Sequence, residues 1–198
     1  IEVLDEVDSK LYDRVRSFSS IVKTVENTDF LDEHLNVYKD AGYNIFVLAE
    51  YIFMEDADYE AWIRELGIDT SAKGEIVVNR AKGTLMGTSS AIEVSLDDVN
   101  LKKGDFLSVS EMDEVDLKNE IKIVGLVDEL PWGVVSSIRN LSINIVIPMS
   151  RIHEHINSNS NISQTLTFKS NEHKALASAL EDSLENNGFY SGYVENQK

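Results

Sequence analysis

Three groups of residues in this chain have types and spacings that could do chemistry. His153-Glu154-His155 sets two imidazoles around a carboxylate, a donor set suited to a metal ion. Asp97-Asp98 and Asp128-Glu129 offer paired carboxylates of the kind used for acid–base work, with Glu129 or Asp97 as partners for Asp128. Asp56, Asp58 and Glu60 mimic the opening of a calcium loop. Each group meets an objection within the sequence. Two histidines at i and i+2 share a face on a strand but diverge on a helix, and Ile152 with Ile156 at i and i+4 marks a helix. The cluster therefore reads as a solvated surface. Ala61 stands where the calcium loop needs its sixth-position glycine, so the acids at 56–60 read as helix N-terminal charges favoured by the dipole. With 35 acids in 198 residues, paired carboxylates arise by chance.

Other chemistries lack their residues. Gly83-Thr84-Leu85-Met86-Gly87 is not followed by Gly-Lys-Ser/Thr, so it is no phosphate loop, and neither G-x-G-x-x-G nor G-x-S-x-G occurs. The chain has no cysteine, which excludes disulfides, thiol catalysis and thiolate zinc sites. Eighteen basic against 35 acidic residues give a formal charge of −17. Such a surface excludes nucleic acid as a partner and disfavours lying on an anionic bilayer, whereas a cationic partner would be attracted. No cofactor is expected.

The elements that must position these residues follow from periodicity. Leu4, Val7, Leu11, Val15, Phe18, Val22 and Val25 recur every three or four residues, predicting an amphipathic helical arm over residues 1–26. A chain that opens on Ile1 inside such a stripe reads as excised from something larger. A short helix with Leu31, Leu35 and Tyr38 on one face should end at Gly42. Residues 45–48 and 51–54 read as strand, broken near Glu50. Tyr59, Trp62, Ile63 and Leu66 predict a helix capped by Asp56 or Asp58, anchored in the core by Trp62 and stopped by Gly67. Residues 75–79 are a β-branched strand and 81–90 a loop. Ile92, Val94 and Leu96 alternate as a strand, and Leu101–Asp105 turns into a strand at 106–110. Residues 111–116 read as an acidic connection, 120–127 and 143–147 as strands separated by Pro131-Trp132-Gly133. Ser150 is expected to cap a short helix carrying Ile152 and Ile156. A strand at 164–169, a helix at 171–187 stopped by Gly188 and a strand at 189–194 complete the chain. Strands and helices mix without regular βαβ alternation, so the fold class is α+β: a mixed sheet packed with helices, with a β-rich inserted lobe at about 81–118.

Several stretches in order carry a resemblance: DADYEAWIRELGID from Asp56 followed by GEIVVN, LKKGDFLSV from Leu101, IKIVGLVDELPWGV from Ile121 with INIVIPMSRIHEHI from Ile143, and TLTFKSNEHKALASALEDSLENNGF from Thr165. Together they resemble the extracellular domain of FtsX/MacB-type ABC transporter permeases of Gram-positive bacteria, over roughly residues 45–194. The resemblance implies a domain held between two membrane helices on the outer side of the cell membrane, with ATP hydrolysed by a separate ATP-binding subunit. It implies that residues 27–198 are the extracellular body and 1–26 the extension of a membrane helix. It implies no catalytic residues here. Gly104-Asp105, Gly125 and Pro131–Gly133 match the family as turn and strand-end positions. The expected function is to relay ATP-driven motion, or to contact an exported or sensed peptide or lipid, a partner protein or a second permease copy. The rival expectations are a soluble acidic hydrolase and a scaffold dimerised through a coiled coil at 1–26.

Overall fold

The computed structural model describes residues 2–69, 74–97, 99–111, 114–136, 138–157 and 160–187. It is α+β, with a nine-stranded mixed sheet and four helices among these residues. The chain divides into two compact units, one formed by Ser17–Thr165 and the other by Ile1–Arg16 together with Leu166–Lys198.

The expected helical arm is replaced by a strand over most of its length. Helix α1 is four residues, Glu2–Asp5, and a single 3₁₀ turn follows at Ser9–Leu11. Strand β1 then runs Arg14–Val25. Its middle, Phe18 to Ile21, is buried on both faces, so no polar face remains to reveal a two-residue period. Phe18, Val22 and Val25 mimic helical spacing, but Ser17, Ser19, Ser20, Val22, Thr24 and Val25 are poor helix formers that a covered strand accepts. A coiled coil through residues 14–25 is thereby excluded.

In the larger unit, β1 pairs antiparallel with β2 (Leu48–Met54), Phe18 opposite Met54 and Thr24 opposite Leu48. Strand β2 runs unbroken through Glu50, against the expected break, because that carboxylate is taken up by a partner described below. Strands β3 (Glu75–Val78), β4 (Ala81–Met86), β5 (Ala91–Leu96), β6 (Phe106–Glu111), β7 (Glu114–Val127) and β8 (Ser142–Pro148) follow. Strand β8 lies parallel to β2 on one side and antiparallel to β3 on the other. Strand β3 is parallel to β7, β7 antiparallel to β6, and β6 returns to β1 through Thr24–Ser110 and Val25–Val109. The six strands β1, β2, β8, β3, β7 and β6 therefore close on themselves as a barrel, which leaves them no free edge. Strands β4 and β5 form a hairpin attached through Lys82 opposite Ser142. The strands of residues 81–118 are members of the same nine-stranded sheet. Residues 81–86, expected as loop, are strand; of the acidic connection expected at 111–116, Glu111 ends β6 and residues 114–116 begin β7, while 112 and 113 lie outside the described residues.

One face of each barrel strand enters a single apolar cluster: Ile21, Val25, Ala49, Tyr51, Phe53, Val77, Leu107, Val109, Ile121, Ile123, Ile143, Ile145 and Ile147. A barrel of six strands is filled by such side chains. Leu31 and Leu35, both fully buried, join it from a 3₁₀ turn at Asp29–Leu31 and helix α2 (Asp32–Asp40), as does Ile152 from a 3₁₀ helix at Met149–Glu154. The opposite face carries Phe18, Ile52, Met54, Ile76, Val78, Val127 and Val146 under Tyr59, Trp62 and Ile63 of helix α3 (Asp56–Glu65). Trp62 packs as expected, whereas Leu66 is exposed. Gly42 and Gly67 follow α2 and α3 with positive φ, as their positions predict. Neither Asp56 nor Asp58 caps α3; Asp56 accepts instead from the Ser150 amide at 2.9 Å, so Ser150 is no cap either.

In the smaller unit, Val7, Leu176 and Leu180 form the core, with Leu11, Tyr12, Phe168 and Leu184 around them. Strand β9 (Ser163–Lys169) ends here, and helix α4 (His173–Asn186) supplies Leu176 and Leu180. The Asp13 amide donates to the Lys169 carbonyl at 2.7 Å, and the Ser170 hydroxyl donates to the Leu11 carbonyl. The expected strand at 189–194 and its Gly188 stop lie outside the described residues.

Candidate functional site

The most concentrated polar chemistry lies at the start of β3. Glu75 is 2% exposed, on the strand face that carries Val77 into the barrel core. Arg151 reaches it from the 3₁₀ helix as a fork, Nη2 to Oε1 at 2.7 Å and Nη1 to Oε2 at 3.2 Å. The same guanidinium grips Glu154 through Nε at 3.2 Å and Nη2 at 2.9 Å, and Nη1 also donates to the Gly74 carbonyl. A planar five-donor cation is what two carboxylates and a carbonyl require; an ammonium could not satisfy this geometry. Hydrogen bonds to Glu154, then the charge of Glu75, raise the Arg151 pKa above its ordinary value against the opposing desolvation.

His155 completes the group. Its Nε2 is 3.3 Å from Glu75 Oε1, yet it is not aligned as a hydrogen bond, and the ring tilts against Tyr51 and Phe53 with centroids 5.3 and 6.2 Å away. His155 is therefore a packing residue beside a charge. His153 is exposed. The two imidazoles diverge, as helical spacing demands, but only His153 lies on the solvated surface expected for both. On the other side, burial first and Glu75 second push the Tyr59 phenol up to about 12, with Arg151 opposing.

Arg16, Lys23 and Glu50 are buried as well, on β1 and β2, where the sequence marks only elements. Lys23 is 3% exposed on β1, its ammonium 5.3 Å from the Tyr51 ring centroid, a cation–π distance. Glu50 is fully buried on β2 and accepts from the Ser136 hydroxyl at 2.6 Å. No local pattern distinguishes these from surface charges. The signal for Lys23 and Glu50 is position: Lys23 stands two residues from Ile21 and from Val25, and Glu50 lies between Ala49 and Tyr51, all core residues.

The expected carboxylate pairs come together only in part. Arg80 lies 3.4 Å from Asp97 and 3.7 Å from Glu129, whose side chains are 78% and 79% exposed. Asp128 is exposed as well, and Asp98 lies outside the described residues. Solvated acids bridged by an arginine lack the dry environment that poises a carboxylate for proton transfer. Among the described residues, no three of His, Asp and Glu converge as metal ligands. A shallow groove of about 220 Å³ is lined by Asn44, Phe46, Thr84, Met86 and Asn140, and touches none of these charged groups.

No family model, curated protein or solved structure matches this chain. The Glu75–Arg151–Glu154 network is then read from its own geometry. Both Glu75 oxygens are engaged by Arg151 and the barrel is filled beneath them, so the network fastens the 3₁₀ helix to β3 at the barrel end.

Proposed function

We propose that this chain is a non-catalytic extracellular domain of an ABC transporter permease, relaying ATP-driven motion or contacting an exported or sensed substrate. One observation carries the reading. The smaller unit is built from both ends of the described chain, residues 2–16 and 166–187, while Ser17–Thr165, which hold nearly all of the barrel, lie continuously between them in sequence. Val7 and Leu11 of the first segment share a core with Leu176 and Leu180 of the second. A domain carried between two membrane helices needs such a base, where the entering and leaving segments are joined. The FtsX/MacB-like motifs support the same reading, since they fall on α3 and β3, on the turn into β6, on β7 and β8, and on β9 and α4. A closed, filled barrel is a rigid body suited to passing on displacement. Among the described residues, no helix is long and apolar enough to cross a membrane, so spanning segments would have to flank this chain.

The hydrolase alternative is disfavoured by the exposure of Asp97 and Glu129, and the coiled-coil scaffold by β1. The reading frame on either side of Ile1 and Lys198 tests the proposal. Apolar runs of about 20 residues on both flanks are expected. A frame without them would reject it.

A further inference from the structure

Closing six strands into a barrel leaves the β4–β5 hairpin outside it, and β5 ends the order of strands. Among the described residues nothing pairs with its outer side. The hydrogen-bond phase of the hairpin shows which groups that side presents. The Gly87 amide donates to the Ser90 carbonyl at 2.7 Å, so alternation makes Leu85–Ile92 and Gly83–Val94 the hydrogen-bonded pairs. Two contacts confirm the phase, because the Thr84 amide and the Met86 carbonyl both turn away from β5, to the Arg139 carbonyl and the Asn44 amide. Ala91, Glu93 and Ser95 therefore point their backbone donors and acceptors outward. The strand carries no proline, no lysine and no bulge, and Glu93 is its one charged residue.

We propose that the outer edge of β5 is a docking edge for a free, extended basic peptide, which adds to the sheet as one further strand. This rests on the permease reading, in which the peptide is the exported or sensed substrate. Backbone pairing to residues 91, 93 and 95 supplies affinity, and alternate side chains supply selectivity. The outer face of the hairpin carries Thr84, Met86, Ala91, Glu93 and Ser95, with Lys82 at its far end opposite Ser95. Alanine at 91 leaves Met86, 60% exposed, open to a long side chain from the added strand. Glu93, exposed and opposite Thr84, faces the next such position. Charge decides the occupant. A second copy would bring one −17 body against another, whereas a cationic strand is drawn to that charge and to exposed Glu93.

The test uses the 198-residue chain and two ten-residue probes of equal β propensity, one alternating lysine with valine and one alternating glutamate with valine. The lysine peptide is expected to bind, at least tenfold more weakly at physiological than at low salt. Ser95→Pro removes an outward donor without touching the β4 ladder, and Glu93→Lys reverses the local charge with the backbone intact. Each should weaken binding about tenfold or more with the thermal transition retained. Binding that is unchanged in both variants, equal binding of the two probes, or no binding of the lysine peptide overturns the proposal. So does a dimer of the unmodified chain that Glu93→Lys or Ser95→Pro dissolves, since a second copy would then be the occupant. Failure here leaves the flanking-sequence test of the permease reading unaffected, so the two ideas fall separately.

Discussion

Glu75 and Arg151 are the pair on which the barrel end depends. The cost of desolvating both charges is large, so their role is orientation more than net stability. Arg151→Met should destabilise the fold by about 3 kcal/mol, because it strands a buried carboxylate. The double variant Glu75→Leu/Arg151→Met should recover most of that loss in denaturant titrations. A double variant as unstable as the single one would show that the cluster does more than pair charge. Tyr59 gives the pH dependence. Its folded value of about 12 lies above the ordinary value near 10, so the folded state holds the phenolic proton more tightly. That contribution is complete below about pH 10 and is lost as pH rises through 12. Ultraviolet titration should show a late-ionising phenol that is lost in Tyr59→Phe, with a shallower alkaline fall in stability. Residue identities foretold little of this. Glu75, Glu50 and Lys23 look like the exposed charges that fill the rest of the chain, and only the barrel, a product of distant pairings, puts them inside.

Elements were legible where the signal is local. Helices α2, α3 and α4 follow from apolar spacing within one segment and from glycines at the first two ends. Strands β3, β5, β8 and β9 follow from β-branched or alternating runs. Strand β1 was not legible, because a strand covered on both faces has no polar phase and its valines fall at helical intervals as well. Strand β4 was hidden by its composition: Lys-Gly-Thr at 82–84 reads as loop until β5 and β8 flank it. Gly83 shows why a glycine stands there. Its φ is +150°, and a Cβ would lie 2.2 Å from the Asn140 carbonyl oxygen. Gly83→Ala should therefore cost at least about 2 kcal/mol by strain and by prying β4 from residue 140. A change below about 0.5 kcal/mol in chemical unfolding would contradict that close approach.

At the scale of the whole molecule, the chain starts in a small unit, continues through a filled barrel and returns to that unit. The α+β class was readable from the mixture of elements. The closure of the sheet was not, since parallel β2–β8 and β3–β7 pairings join residues some 50 to 95 positions apart and leave no mark in any window of sequence. The joining of both chain segments in one unit is what connects the fold to the proposed role. The chain contains no cysteine, so one thiol can report its side of the membrane without background from this domain. Ser89 lies exposed in the β4–β5 turn. The decisive measurement is labelling of Ser89→Cys, in the complete gene product, by a membrane-impermeant maleimide applied to intact cells. The permease account predicts full labelling before lysis; labelling that appears only after the membrane is broken would contradict it.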